Sequence, residues 1–311
     1  MAFFTSLRSR TAMSWAFFSS IPFTASSASS LEVVVGVVKC VIKTVVSNGY
    51  NNIASPAIFQ PKPLRNSHLH LHLPQCQSTN DELARIWKEK NGLLPDGFRI
   101  STDFQTAGRG QRGNTWESEP GKNLLFSLLV RPTFLPASQS FWISAAACLG
   151  LHRVLAPALP QLTIKWPNDL LAGDKKICGM LVENASLGGF IERSVVGIGL
   201  NVNSVHVPVN ASSLRLECDY EWEMGPLLER ICESIGEEVN LLGKHGWEFI
   251  RNRMLARLYK IAQVHTFYTP EGDPFPAILK TIRENGQLVL VGKEGEKTFD
   301  FKEISFFPNR F

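Results

Sequence analysis

The chain lacks the usual marks of several protein classes. Its six cysteines (Cys40, Cys76, Cys148, Cys178, Cys218 and Cys232) are scattered and form no Cys-x-x-Cys pair. That argues against a zinc centre or a disulfide framework and for a reducing compartment. No uninterrupted apolar run is long enough to span a bilayer. The nearest, Leu31 to Val46, is broken by Glu32, Lys39 and Lys43, so no membrane partner is expected. Charge of one sign is scarce too. A net charge of +4 over 311 residues points away from DNA or any other nucleic acid as a partner. There is no internal repeat. The first 31 residues contain no acid, while they hold Arg8, Arg10 and many serines. That composition is compatible with an organellar targeting segment, and slightly better with a plain disordered extension. Residues 1–66, which close on Pro56, Pro61 and Pro63, are therefore expected to be an extension. The protein is expected to be cytoplasmic, or organelle-targeted if residues 1–31 act as a transit segment.

What is present is an ordinary globular composition, 44% apolar and 19% charged. Residues 67–260 alternate strand-like and helix-like segments and predict one large domain. Residues 261–311 read as short strands and predict a small barrel. A first helix begins near Ser78, with Thr79 and Glu82 at capping-box spacing and Leu83, Ile86 and Trp87 on one face. In the strand that follows, Phe98, Ile100, Thr102 and Phe104 alternate with Arg99, Ser101, Asp103 and Gln105. Further strands are predicted at Asn123 to Arg131, Leu162 to Trp166, Ile177 to Glu183 and Arg193 to Asn203. Helices are predicted at Ser138 to Leu155, Trp222 to Leu242 and Trp247 to Tyr259. Glu284-Asn285-Gly286 is a hairpin signal. The pattern predicts an α+β fold with a mixed, largely antiparallel sheet and its helices on one side.

Two stretches carry chemistry. Gly108-Arg109-Gly110-Gln111-Arg112-Gly113 packs three glycines and two arginines into six residues, and no acid follows until Glu117. Glycine permits close backbone approach, and arginine makes forked bonds to phosphate or carboxylate. The loop has neither the Gly-Lys-Ser/Thr end of a Walker loop nor the helix of a Rossmann fingerprint. An anion-binding loop is the better reading than a surface turn. Further on comes Lys165-Trp166-Pro167-Asn168-Asp169. Lys165 is either an edge-strand lysine facing water or a lysine aimed into a pocket, and the spacing does not choose. Trp116 is either core or an aromatic lid over a base. His68, His70 and His72 alternate along one strand face. Without a Cys, Asp or Glu at ligand spacing they read as outward histidines, with Leu69, Leu71 and Leu73 inward, and no metal site is expected.

The chain resembles the biotin–protein ligases. The family's Gly-Arg-Gly-x-Arg-Gly loop is present at Gly108 to Gly113, and its Lys-Trp-Pro-Asn-Asp at Lys165 to Asp169. Lys176 to Glu183, Gly197 to Asn203 and Ser78-Thr79-Asn80 match as well, so the likeness runs from about Leu73 to Phe306. It implies the fold shared with class II aminoacyl-tRNA synthetases, ending in an SH3-like barrel. It also implies ATP and biotin as substrates, with Mg2+ carried on the nucleotide phosphates. The product of the first step would be biotinyl-5'-AMP, and the partner a biotin carboxyl carrier protein whose lysine receives the biotin. Relatives often pair as homodimers.

By the same resemblance Lys165, Arg109 and Arg112 would be catalytic. Ser78, Thr79, Asn80 and Gln105 would meet biotin's rings, Gly179 would offer backbone to them, and Arg109, Gly110 and Gln111 would close over the carboxylate and adenylate. Gly108, Gly113, Trp116, Asn168 and Asn201 would face the nucleotide. Many members carry arginine where this chain has Gln111, which puts retention of the adenylate in question. Residues 1–66 show no three-helix pattern, so a DNA-binding repressor domain is not expected there. The alternatives are a lipoate or octanoate ligase or transferase of the same superfamily, and an inactive module that binds carrier proteins.

Overall fold

The computed structural model describes residues 69–111 and 114–308. The extension over 1–66, His68, Arg112 and Gly113 lie outside the described residues. Seven strands form one sheet: β1 (His70–Cys76), β2 (Arg99–Gln105), β3 (Leu124–Val130), β4 (Leu162–Lys165), β5 (Asp169–Ala172), β6 (Lys175–Leu187) and β7 (Phe190–Leu200). Their order is β1-β2-β3-β7-β6-β5-β4. Only β1 and β2 run parallel; every other pair is antiparallel, which suits the short hairpin connections around Gly173 and Gly188-Gly189.

The helices are α1 (Thr79–Glu89), α2 (Phe141–Leu155), α3 (Leu214–Cys218) and α4 (Met224–Leu255). They do not all lie on one side. Phe126, Leu128, Val196 and Ile198 share a core with α2 and α4. Ile100, Leu129 and Val195, which alternate with those positions, pack instead against Leu83, Ile86 and Trp87 of α1. The period of two thus sends β3 and β7 into two cores on opposite faces. Full burial of each large side chain is worth roughly 1.5–3 kcal/mol. α2 buries twelve of its fifteen residues, so it is apolar nearly all round rather than amphipathic. α4 breaks at Gly246 (φ 78), close to the gap expected between two helices. Glu238, wholly buried before the break, pairs with Arg253 after it at 2.8 Å and with Arg153 of α2 at 3.6 Å, as a buried carboxylate requires.

Some expectations need correction. Thr79 and Glu82 do not form a capping box: Ser78 is the N-cap, its side chain makes no capping bond, and Glu82 N donates to Ser78 O. The Thr79 hydroxyl instead meets Gln105 of β2 and Ser127 of β3. Arg99 and Ser101 are buried rather than solvent-facing, because β2 is covered on both faces; Arg99 pairs with Glu229 of α4. On the edge strand β1, Leu71 is exposed, and His70 and His72 converge on Ser101 Oγ at 2.8 and 2.9 Å. Inward leucines with outward histidines describe it only in part: Leu73 packs against the α1 core and His72 is exposed, but Leu71 is exposed as well and His70 is half-buried.

After α4 come β8 (Val264–Tyr268), β9 (Pro274–Ile282), β10 (Leu288–Gly292) and β11 (Gly295–Phe299), a separate antiparallel sheet in the order β11-β10-β9-β8. The hairpin signal is the β9–β10 turn, with Gly286 at φ 89. This turn is docked on α2 and on the β4–β5 turn. Trp142 Nε1 donates to Glu284 O at 2.7 Å, and Trp166 Nε1 donates to Gly286 O at 3.0 Å.

Candidate active site

On the α1 face of the sheet, beyond the end of the helix, β6 and β7 carry Gly179, Gly197 and Gly199 instead of side chains. Gly179 and Gly199 are cross-strand partners. A Cβ on Gly197 would lie 2.3 Å from Asn80 Oδ1, and one on Gly199 would lie 2.4 Å from Trp116 Cε2. These glycines are therefore the seats of Asn80 and Trp116, and any side chain there would expel them. The bare strip is the floor of a cleft of about 550 Å³.

One end of the cleft is polar. Ser78, Thr79 and Asn80 are buried there at the start of α1. Gln105 Oε1, at the end of β2, accepts from Thr79 N at 2.8 Å and from Thr79 Oγ1 at 3.2 Å. Ser127 Oγ on β3 lies 2.7 Å from Thr79 Oγ1 and 2.6 Å from Asn80 Oδ1. Asn80 Nδ2 donates to Glu183 Oε2 at 2.7 Å. Such a dry, linked set of hydroxyls and amides orients a ligand that has donors and acceptors of its own.

The other end is cationic. The chain turns from β4 to β5 through Trp166-Pro167-Asn168, whose first peptide bond is cis, and Lys165 and Asp169 are cross-strand partners. Lys165 Nζ stands 2.9 Å from Asp169 Oδ2, and Lys176 Nζ stands 2.7 Å from Asp169 Oδ1. Burial alone would raise the Asp169 carboxyl, but the Lys165 and Lys176 ammoniums outweigh it and hold the group at about 2. Lys165 is thus aimed into the cleft, not at water. Lys176 also lies over the Trp116 ring, 5.6 Å from its centroid. A second cleft of about 520 Å³ opens beyond Trp116, lined by Glu117, Asn123, Asn201, His206 and Asn210. It shares Lys165, Asp169 and Lys176 with the first.

The described ends of the glycine loop, Gly108–Gln111 and Asn114–Trp116, pair antiparallel beside this junction. Gly110 N donates to Asn114 O at 2.6 Å and Trp116 N to Gly108 O at 2.9 Å. Arg109, 44% exposed, is held at Nη2 by Asp81 Oδ1 at 2.6 Å and Glu183 Oε1 at 3.3 Å. Gly110 and Gln111 line the first cleft, and Gly108 is buried against Trp116. Trp116 Nε1 is buried without a hydrogen-bond partner among the described residues, a donor left for something in the cleft.

The side-chain amides of Asn168 and Asn201 are engaged elsewhere. Asn168 Nδ2 donates to Met180 O, and Asn201 Nδ2 donates to Ser212 O at 3.0 Å. Asn168 nevertheless lines the first cleft and Asn201 the second.

Sequence reasoning missed several members of the site. Asp169 and Lys176 lay inside motifs already singled out, yet no spacing rule says that they share an ion pair. Ser127 carried a signal: it is the one polar residue in the apolar strand Leu124 to Val130. The Gly-Ile-Gly of residues 197–199 carried another, since glycines two apart on a strand bare one face. Lys302, Ile304, Ser305 and Phe306, which complete the cleft from beyond β11, carried none. Among the described residues no three His, Cys, Asp or Glu are grouped to hold a metal ion.

Residues 73–201 match the Biotin/lipoate A/B protein ligase family. The chain is 28% identical over 213 residues to the bifunctional ligase/repressor BirA of Bacillus subtilis, covering 65% of this chain and 60% of that protein. It is 27% identical over 243 residues to the biotin–[acetyl-CoA-carboxylase] ligase of Paracoccus denitrificans, covering 75% of this chain and 99% of that one. The match thus spans about 60% of the length of the Bacillus relative and nearly all of the Paracoccus one. Among solved structures, the biotin protein ligase from Aquifex aeolicus in complex with biotin and ATP superposes with a TM-score of 0.63 at 23% identity, over 77% of this chain and 99% of that one. The fold is the same.

Proposed function

We propose that the chain is an ATP-dependent biotin–protein ligase, a reading supported by the match of residues 73–201 to the Biotin/lipoate A/B protein ligase family. The observation that carries the proposal is the junction: two clefts meet at Lys165, Asp169 and Lys176, between a polar end and the arginine loop. Joining a carboxylic acid to a nucleotide brings two anions together, and their repulsion is large in a dry site. Two ammoniums on one buried carboxylate leave a net positive charge at the meeting point, already in place before the reaction begins.

In this reading biotin lies along the glycine floor, with its ureido ring at Ser78, Thr79, Asn80 and Gln105 and its carboxylate toward Lys165 and Lys176. That carboxylate attacks the α-phosphate of ATP. An acyl–phosphate bond forms, pyrophosphate leaves, and biotinyl-5'-AMP remains under Arg109, Gly110 and Gln111, with Trp116 as the wall between the clefts. A lysine amine of a carrier domain then attacks the acyl carbon and releases AMP. The Paracoccus relative is named for acetyl-CoA carboxylase, and the carrier here would be the biotin carboxyl carrier of such an enzyme. Magnesium would enter on the nucleotide phosphates, since both oxygens of Asp169 are already paired.

The proposed division is a ligase domain over 67–260 and an appended sheet over 261–311. Pairing of two copies, with no DNA or membrane partner, belongs to the same reading. No helix among the described residues is long and apolar enough to cross a membrane.

Lipoate or octanoate would suit the polar end poorly. Their tails offer little or nothing to bond the buried Thr79, Asn80 and Ser127 groups, and buried polar groups left unpaired are costly. The test is transfer of labelled biotin to a carrier domain with and without ATP, beside calorimetry with biotin, lipoate and octanoate. ATP-dependent labelling and binding of biotin alone are expected. Binding of all three acids alike, or of none, would overturn the proposal.

A further inference from the structure

Glu183 stands on β6 where two otherwise separate devices meet. Its Oε2 accepts from Asn80 Nδ2 at 2.7 Å, and its Oε1 lies 3.3 Å from Arg109 Nη2. Asn80 is buried, with its Oδ1 at Ser127 Oγ, so the Glu183 contact helps fix which way the amide faces. Arg109 sits on a loop, and its second carboxylate partner, Asp81, also meets Nη2. A guanidinium gripped at one nitrogen of a five-donor fork can still present Nη1 and Nε to an anion in the cleft.

We propose that Glu183 is a positioning residue that ties the ring-binding end of the cleft to the arginine of the glycine loop. The inference rests on the biotin-ligase reading above. Its physical content is that one carboxylate has two separable duties. Asn80 needs an acceptor oxygen, which a glutamine also supplies. Arg109 needs the negative charge, which a glutamine lacks, and the amide NH2 would then face Nη2 donor to donor. An alanine removes both.

The test is steady-state pyrophosphate release by the full chain, titrating biotin at saturating MgATP, for wild type, Glu183→Gln and Glu183→Ala. Glu183→Gln should keep the biotin KM within about twofold and lower kcat by about tenfold, and Glu183→Ala should show that loss of kcat with a KM raised about tenfold. Melting temperatures should stay near wild type, because Glu183 is 42% exposed. Wild-type kinetics in both variants, a KM that Glu183→Gln does not rescue, or losses that merely follow the folded fraction would overturn the inference. A wild type that turns over, with variants that do not respond, sinks this inference alone. A wild type that releases no pyrophosphate sinks the ligase reading and this inference with it.

Discussion

The site places cations in two contrasting ways. Lys165 and Lys176 project from β4 and β6, the two strands that flank β5, onto its one buried carboxylate, with distances of 2.9 and 2.7 Å. Arg109 projects from a glycine loop onto two carboxylates that are 56% and 42% exposed. The first arrangement is rigid: its geometry is set by the β4–β5 and β5–β6 ladders, and its field exists before any substrate arrives. The second is loose, since exposed ion pairs are worth little and exchange readily with a competing anion. A reaction that must first force two anions together and then hold a hydrolysable product needs both kinds. The buried pair suits the bond-forming step, and the exposed one suits closure over what has been made.

The hardest test of this contrast is removal of the rigid cations. Lys176→Ala and Lys165→Ala should each slow single-turnover pyrophosphate release by ~10²–10³-fold, the usual cost of losing one pre-placed charge at a transition state. Rates within a few-fold of wild type would make the lysine wall a structural ion pair only.

The next test is Asp169→Asn. The folded carboxyl is held at about 2, below its ordinary 3.8. A depressed carboxylate stabilises the fold fully above its unfolded pKa, and that stability is lost as pH falls through the folded one. A difference of this size corresponds to about 2 kcal/mol. Urea unfolding of Asp169→Asn should therefore show a deficit of that order at pH 7, and the two stability curves should converge between pH 4 and pH 2. A deficit that persists unchanged at low pH would mean that packing, not charge, is what Asp169 supplies.

Arg109→Gln is expected to act later and less. Adenylate retention should fall about tenfold, as for one charge-assisted bond, while the first turnover slows little. Cleavage after Arg109 by a trypsin-like protease should be slowed in the wild type by biotin with MgATP. Equal cleavage with and without ligand would remove the loop from the closing role.

The two halves of this contrast were unequally legible in the sequence. The arginine loop is contiguous, so its composition alone points to an anion. The strands, the Gly286 turn and the break at Gly246 were readable for the same reason: each depends on local period or on one residue's backbone freedom. The lysine wall was half visible. The sequence leaves the orientation of Lys165 open, because a four-residue strand at a sheet edge has no period long enough to say which face is wet. Lys176 reaches Asp169 only because β5 and β6 pair with a register shift between Leu170 and Leu171, which no local pattern encodes. The same holds for Arg99 and Ser101. Their alternation is legible, but that a second core covers their face depends on α4, more than a hundred residues later. Trp166 could be seen beside the lysine, yet not that its indole grips the Gly286 turn.

The smallest expected effect is also the one that separates the two arrangements most cleanly. Asp81→Asn removes one carboxylate from Arg109 as Asp169→Asn removes one from Lys165 and Lys176. Asp81 is more than half exposed, in the first turn of α1. Its ion pair is screened by water and salt, and its interaction with the helix dipole is similarly weak. Asp81→Asn should therefore change unfolding free energy by no more than about 0.5 kcal/mol. That small change should shrink further in 1 M salt, where the Debye length falls to about 3 Å. The Asp169→Asn deficit should be nearly indifferent to salt, because its partners lie in a drier place. A loss at Asp81 as large as that at Asp169, or one that salt leaves untouched, would mean that the loop is clamped as firmly as the strands and that closure must come from some other part of the molecule.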